Sequence, residues 1–253
     1  MIVQNTYVYI QIGLCLRLLR NIDNANTAEL AKAAIETLTV NLQKGNFDVS
    51  LAAMTSTSFG EMKKELEAAE AEKPIPASLV SKIKNQSTTL ENVVFAEAIT
   101  KKIYVLPSRR FNTEYLLAEP KRLLRAGAYE KLEEIAKNDF SSSCRCILFG
   151  ESTAAAFHIL RATESVLKSY YFHHRRQNRI AKPMWGPMVD QLRSKTRNKP
   201  PESLLASLDL IRTAYRNPTQ HPEALYEIDS AQDLFGVCLD VIGKMTDELS
   251  VAA

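Results

Sequence analysis

The apolar positions of this chain recur mostly at helical spacing. Over residues 27–44, Leu30, Ala34, Leu38 and Leu42 return every four residues and stack on one helix face. Asn26 and Thr27 stand just ahead of that run and suit N-caps. Residues 59–72 combine strong helix formers with dense charge, which predicts a solvated helix ended by Pro74 and Pro76. Residues 77–100 predict another helix, with Leu79, Ile83, Leu90, Val94 and Ala98 along one side. The opening apolar stretch, residues 7–19, leaves two readings open. Tyr7, Val8, Tyr9 and Ile10 favour a strand, whereas Leu14, Leu18 and Leu19 favour a helix. Residues 101–107 form a short β-like run closed by Pro107.

The second half is patterned more clearly. Residues 129–137 predict a short helix and residues 142–172 a long one. Leu148, Ala155, Phe157, Leu160, Val166, Leu167 and Tyr170 form its broad apolar stripe. Trp185, Met188, Val189 and Leu192 predict a helix within the next segment. Pro200 and Pro201 start another, with Leu204, Leu205, Leu208 and Ile211 spaced for burial. It runs towards Arg216, where Asn217-Pro218 reads as a stop. A last helix starts near Glu227 or Asp229 and carries Leu234, Phe235, Cys238, Val241, Ile242 and Met245. The expected fold is mainly α, a helical bundle over 107–253. It follows a helical region over 1–106 with at most one or two short strands.

Composition narrows the chemistry. Glycine supplies only 8 of 253 residues, too few for an architecture of tight hairpins or glycine-rich phosphate loops. No phosphate-loop, dinucleotide-binding, His-Glu-x-x-His or Gly-x-Ser-x-Gly signature occurs. Cys15, Cys144, Cys146 and Cys238 lack metal-ligand or redox spacing, so free thiols, no metal and no cofactor are expected. The first apolar stretch contains Gln11 and Arg17 and is too short to span a bilayer. With no leader-like pattern at its start, the chain is expected to be cytoplasmic and not in a membrane.

The net charge is only +3, so any nucleic-acid surface must be local. Residues 173–199 hold Arg175, Arg176, Arg179, Lys182, Arg193, Lys195, Arg197 and Lys199 against Asp190 alone, and the rest of the chain is net acidic. With Tyr170, Tyr171, Phe172 and Trp185 nearby, the segment suits a phosphate backbone with stacked bases. A solvated charged loop is the competing reading.

Arg216 and His221, separated by four residues, form the most suggestive chemical pair. Imidazole moves protons near neutral pH, and guanidinium offers a planar fork to phosphate oxygens. The segment Arg216-Asn217-Pro218-Thr219-Gln220-His221-Pro222 resembles the Arg-x-x-x-x-His motif of the HEPN family. The run containing Thr153, Ala154, Ala155, Phe157, His158, Arg161 and Glu164 is similar to the long helix that precedes this motif in HEPN-like bacterial proteins. The resemblance covers roughly residues 129–249 and implies a helical bundle that dimerises through the motif.

Many members of that family are metal-independent endoribonucleases of toxin–antitoxin or antiphage systems, while others keep the fold without cleavage. The resemblance thus implies RNA as substrate, a homodimer, and an antitoxin or sensor protein as partner. Arg216 and His221 become the catalytic pair, with Asn217 and Gln220 as auxiliary groups and Glu164 as a further auxiliary candidate. Arg175, Arg176, Arg179 and Lys182 are the expected RNA contacts. Glu164 has two candidate partners, Arg161 on its own helix and Arg216 across the bundle. His158, among apolar neighbours, is expected to be a structural histidine.

Overall fold

A computed structural model of the chain describes residues 5–176, 179–220 and 224–249. The chain divides into two compact units, Met1–Tyr104 and Val105–Ala253. Among the described residues both are helical. No strand forms, and a single isolated bridge joins Thr27 to Pro74. The mainly α class expected from the periodicity is the class observed.

The first unit contains α1 (Tyr7–Arg20), α2 (Ala28–Lys44), α3 (Asp48–Ala53), α4 (Thr57–Ala68) and α5 (Ala77–Thr100). The ambiguous opening stretch is helix throughout. Val8, Ile12, Cys15, Leu16 and Leu19 are buried at helical spacing, and that burial overrides the β preference of residues 7–10. In α2 the buried face is set by Ala28, Ala31, Ile35, Leu38 and Leu42, while Leu30 is exposed. Thr27 is its cap, accepting from the Leu30 N–H at 3.4 Å. Helix α4 is not solvated all round, because Phe59, Met62 and Leu66 form a narrow buried stripe among its charges.

Helix α3 was not expected, and its first turn is held by Glu97 of α5. That carboxylate accepts from Ser50 N (2.8 Å), Ser50 Oγ (2.7 Å) and Val49 N (3.3 Å). Burial opposes its charge, yet these bonds and nearby Lys101 hold its carboxyl below the ordinary carboxylate range. The β-like run over 101–107 forms no strand. Ile103, Tyr104 and Val105 are exposed, with no neighbouring strand to pair with.

The second unit contains α6 (Thr113–Leu117), α7 (Glu134–Phe149), α8 (Ser152–His174), α9 (Trp185–Arg193) and α10 (Glu202–Ile211). A π turn (Arg212–Arg216), α11 (Asn217–Gln220) and α12 (Ile228–Asp247) follow. The short helix expected over 129–137 is only a 3-10 turn, Tyr129–Lys131, and Lys137 already belongs to α7. The single long helix expected over 142–172 is two helices. Gly150 adopts φ +83° between them, its N–H bonds to Ile147 O, and the Glu151 N–H bonds to Cys146 O. That left-handed ending satisfies carbonyls at the end of α7 and turns the chain back.

The core between α7, α8, α9, α10 and α12 contains Phe140, Tyr170, Tyr171, Trp185 and Phe235, all fully buried. Each such side chain contributes on the order of 1.5–3 kcal/mol by leaving water. Their polar atoms are matched. The Trp185 indole donates to Leu208 O (3.0 Å) and the Tyr171 hydroxyl to Gln191 Oε1 (2.6 Å). Phe157, expected in the buried stripe, is instead exposed on the outer side of α8.

Gly150→Ala tests the break between α7 and α8. A Cβ there is strained at φ +83° and lies 3.2 Å from Arg109 Nη2. Urea unfolding should show a loss of roughly 1–3 kcal/mol. An unchanged midpoint contradicts this reading of the turn.

Candidate functional site

Helix α8 sets the site. Its buried side packs on α7, α9 and α12, so its charged residues gather on the remaining face. Phe157, Arg161, Glu164 and Lys168 recur at helical spacing along that face. Over it lies the chain leaving α10.

Asn217-Pro218 does not stop this segment, contrary to expectation. The π turn over Arg212–Arg216 places a wider turn just ahead of Pro218, and the helix then continues to Gln220. A π turn accommodates a residue that lacks an N–H and would crowd a regular helix. In consequence Arg216 and Gln220 share one face and line one cleft with Phe157, Arg161, Glu164 and Thr219. The space between them is ≈ 10 Å³, room for about one water.

Arg216 Nη2 lies 3.4 and 3.5 Å from the two Glu164 carboxylate oxygens. Arg161 turns the other way and pairs with Asp139 of α7 at 3.3 Å. The cross-bundle alternative for Glu164 is therefore the one realised. The Arg216 and Glu164 side chains are 22% and 28% exposed, so screening limits the pair to about 1 kcal/mol. The pair positions the guanidinium more than it stabilises the fold. Buried Arg216 Nε has no partner among the described residues.

The chain beyond the cleft is anchored again at Tyr226. Thr219 Oγ1 meets the Tyr226 hydroxyl at 2.7 Å, both bond to Tyr215 O, and the Tyr226 N–H donates to Thr153 Oγ1. His221, the other half of the expected pair, lies outside the described residues. Asn217 is exposed and does not line the cleft. Thr219, which the motif alone did not single out, does.

The basic segment is less available than its formal charge suggests. Arg175 Nη2 donates to Gln191 O (2.8 Å) and Ser194 Oγ (3.0 Å). Arg179 bonds to Arg175 O and lies over the Phe172 ring at 4.8 Å. Arg193 pairs with Glu202 and Asp209, and Lys199 with Glu202. Within this segment Arg176, Arg179, Lys182 and Arg197 are exposed and form no ion pair among the described residues. The segment also starts beyond the end of α8. Glu164 and Arg175 are eleven residues apart, about 16 Å of helix.

His158 is not packed away. Its Nδ1 lies 2.8 Å from Asp139 Oδ1 and the ring is 30% exposed. The His174 side chain is better covered, at 7% exposed. Its Nδ1 meets Lys195 Nζ (3.1 Å) and its Nε2 meets Glu248 Oε2 (3.0 Å), while Tyr170 donates to Glu248 Oε1 (2.8 Å). Among the described residues no cluster of His, Cys, Asp and Glu is placed to hold a metal. No helix there is long and apolar enough to cross a membrane. Burial pushes the Cys144 and Cys238 thiols up to about 12, which removes them as nucleophiles.

No protein-family model, no curated protein and no solved structure matches the chain.

The His174 cluster gives a pH prediction. Burial first, then Lys195, lowers the pKa of His174 from 6.5, against the opposing pull of Glu248. The imidazole takes up a proton less readily in the folded chain than once unfolded. Its contribution is thus complete above 6.5 and is lost as pH falls through the folded value. Urea titrations should show stability falling below about pH 6.5 in the wild type, with a shallower fall in His174→Gln. Parallel curves for the two proteins contradict this.

Proposed function

We propose that the second unit is an RNA-cleaving module of the HEPN type, working in the cytoplasm as a homodimer in defence or as a toxin. The observation that carries the reading is the Arg216–Glu164 pair. It holds a guanidinium on the face that Gln220 shares, one residue before His221. In the proposed reaction a ribose 2′-OH attacks the neighbouring phosphate. His221 transfers a proton, and Arg216 stabilises the charge that builds on the phosphate oxygens. Gln220 hydrogen-bonds the phosphate. An antitoxin or sensor protein would restrain or trigger the module.

The reading includes a second copy of the chain. A space of ≈ 10 Å³ cannot enclose a nucleotide. A two-fold partner laid against the same face would supply the opposite wall and a second Arg–His pair.

A second reading is a non-catalytic helical module that binds RNA or a protein. The observation favouring it is the distance of the basic segment from Arg216, together with the internal pairing of Arg175, Arg193 and Lys199.

Purified protein incubated with RNA in EDTA separates the two. The wild type should cleave. His221→Ala should lose about 10²–10⁴-fold of the rate, and Arg216→Lys should also be severely impaired because ammonium lacks the planar fork. Equal cleavage by all three proteins, or cleavage that needs added magnesium, sinks the assignment. RNA bound without cleavage by the wild type selects the non-catalytic reading.

A further inference from the structure

Helix α1 is apolar on two sides, and the first unit covers only one of them. Val8, Ile12, Cys15, Leu16 and Leu19 face the core. The other side carries Tyr7, Ile10 and Leu14, which are 58%, 56% and 52% exposed, and it ends on exposed Arg17. A helix that is apolar all round is normally buried all round. Tyr7, Ile10, Leu14 and Arg17 follow one another at steps of three, four and three residues, the spacing of a seam that packs on a second helix. Alongside, Gly13 helps to line an apolar groove of ≈ 200 Å³ against Phe95 and Ala98 of α5. A Cβ at Gly13 meets nothing within 4 Å, so the groove is open there. Phe95 and Ile99, both exposed, extend the patch along α5.

We propose that this face docks a second copy of the chain, with the two α1 helices antiparallel across a two-fold axis at Ile12. The pattern of the stripe selects this occupant. It is symmetric about residue 12, with Ile10 and Leu14 two residues to either side and Tyr7 and Arg17 five. Antiparallel pairing therefore sets each Ile10 against Leu14 of the other copy. It also sets each Arg17 guanidinium over the Tyr7 ring of the other copy, a cation–π contact made twice. Arg17 forms no ion pair among the described residues. Parallel pairing sets Arg17 against Arg17, and α1 contains no acidic residue to relieve the repulsion. At about 100 Å² of exposed side chain each, Tyr7, Ile10, Leu14, Phe95 and Ile99 present much of the ~800 Å² that one side of a stable interface buries. A membrane surface fits less well. Helices that lie on membranes carry several Lys or Arg beside the apolar face, whereas α1 has only Arg17 and Arg20, both in its last turn. The contact is made by the first unit and is independent of the homodimer proposed for the second.

Sedimentation velocity of the full chain over a concentration series tests this, with circular dichroism confirming that each variant is folded. The wild type should self-associate. Leu14→Glu places a carboxylate in the seam of both copies and should weaken that association about 100-fold or more. Arg17→Glu should weaken it about 10-fold. Tyr7→Lys added to Arg17→Glu should regain most of that loss, because antiparallel pairing then matches Lys with Glu twice. Parallel pairing opposes Lys to Lys and Glu to Glu and predicts no recovery. A wild type that stays monomeric overturns the proposal, and binding of that monomer to vesicles of anionic lipid reassigns the face to a membrane. A folded Leu14→Glu chain that associates as the wild type does also overturns it, and leaves the second unit as the source of association. Absence of recovery in the double variant overturns the antiparallel register.

Discussion

A helix buried along most of its length can carry charge only on the stripe left open, and α8 is such a helix. Ten of its residues are buried, from Ala155 to Tyr171, in the core of the second unit. The open stripe must then accommodate Arg161, Glu164 and Lys168 together. Each charge needs a partner or water, because a half-buried ion is costly alone. Asp139 answers Arg161 from α7, and Arg216 answers Glu164 from the turn after α10. The architecture of the core thus fixes where the polar chemistry stands.

Sequence periodicity revealed α2, α5, α9, α10 and α12, because each carries a buried stripe long enough to outweigh local noise. It failed where one residue decided the geometry. Gly150 divides α7 from α8 through a left-handed backbone that hydrophobic spacing does not report. The glycine just before Glu151 was the available signal. Asn217-Pro218 failed in the opposite sense, since the π turn over Arg212–Arg216 lets the helix pass Pro218, and hydrophobic spacing does not report such a turn. Phe59, Met62 and Leu66 were overlooked because Lys and Glu outnumber them in α4.

For the candidate site, the sequence located Arg216, Gln220 and Glu164 but could not choose between the two partners of Glu164. Helical spacing allowed both, and only Asp139, nineteen residues before His158 in the chain, withdrew Arg161 from the competition. The same carboxylate changes the meaning of His158, whose apolar neighbours in sequence had suggested burial. Charge counting also misled. Residues 173–199 read as an open cationic surface, yet several of their side chains cap backbone carbonyls or pair with α10. Formal charge along a chain measures what is present, not what remains free once the helices pack.

The central claim is that Arg and His side chains, without a metal, direct a ribose 2′-OH onto its own phosphate. The ends of the cleaved RNA report this directly. A substrate of DNA with one ribonucleotide, incubated with the full chain in EDTA, should be cut only on the 3′ side of that ribonucleotide. Mass spectrometry should find a 2′,3′-cyclic phosphate on one fragment and a 5′-hydroxyl on the other. Fragments ending in 3′-hydroxyl and 5′-phosphate, or cutting of an all-DNA strand, would contradict the account.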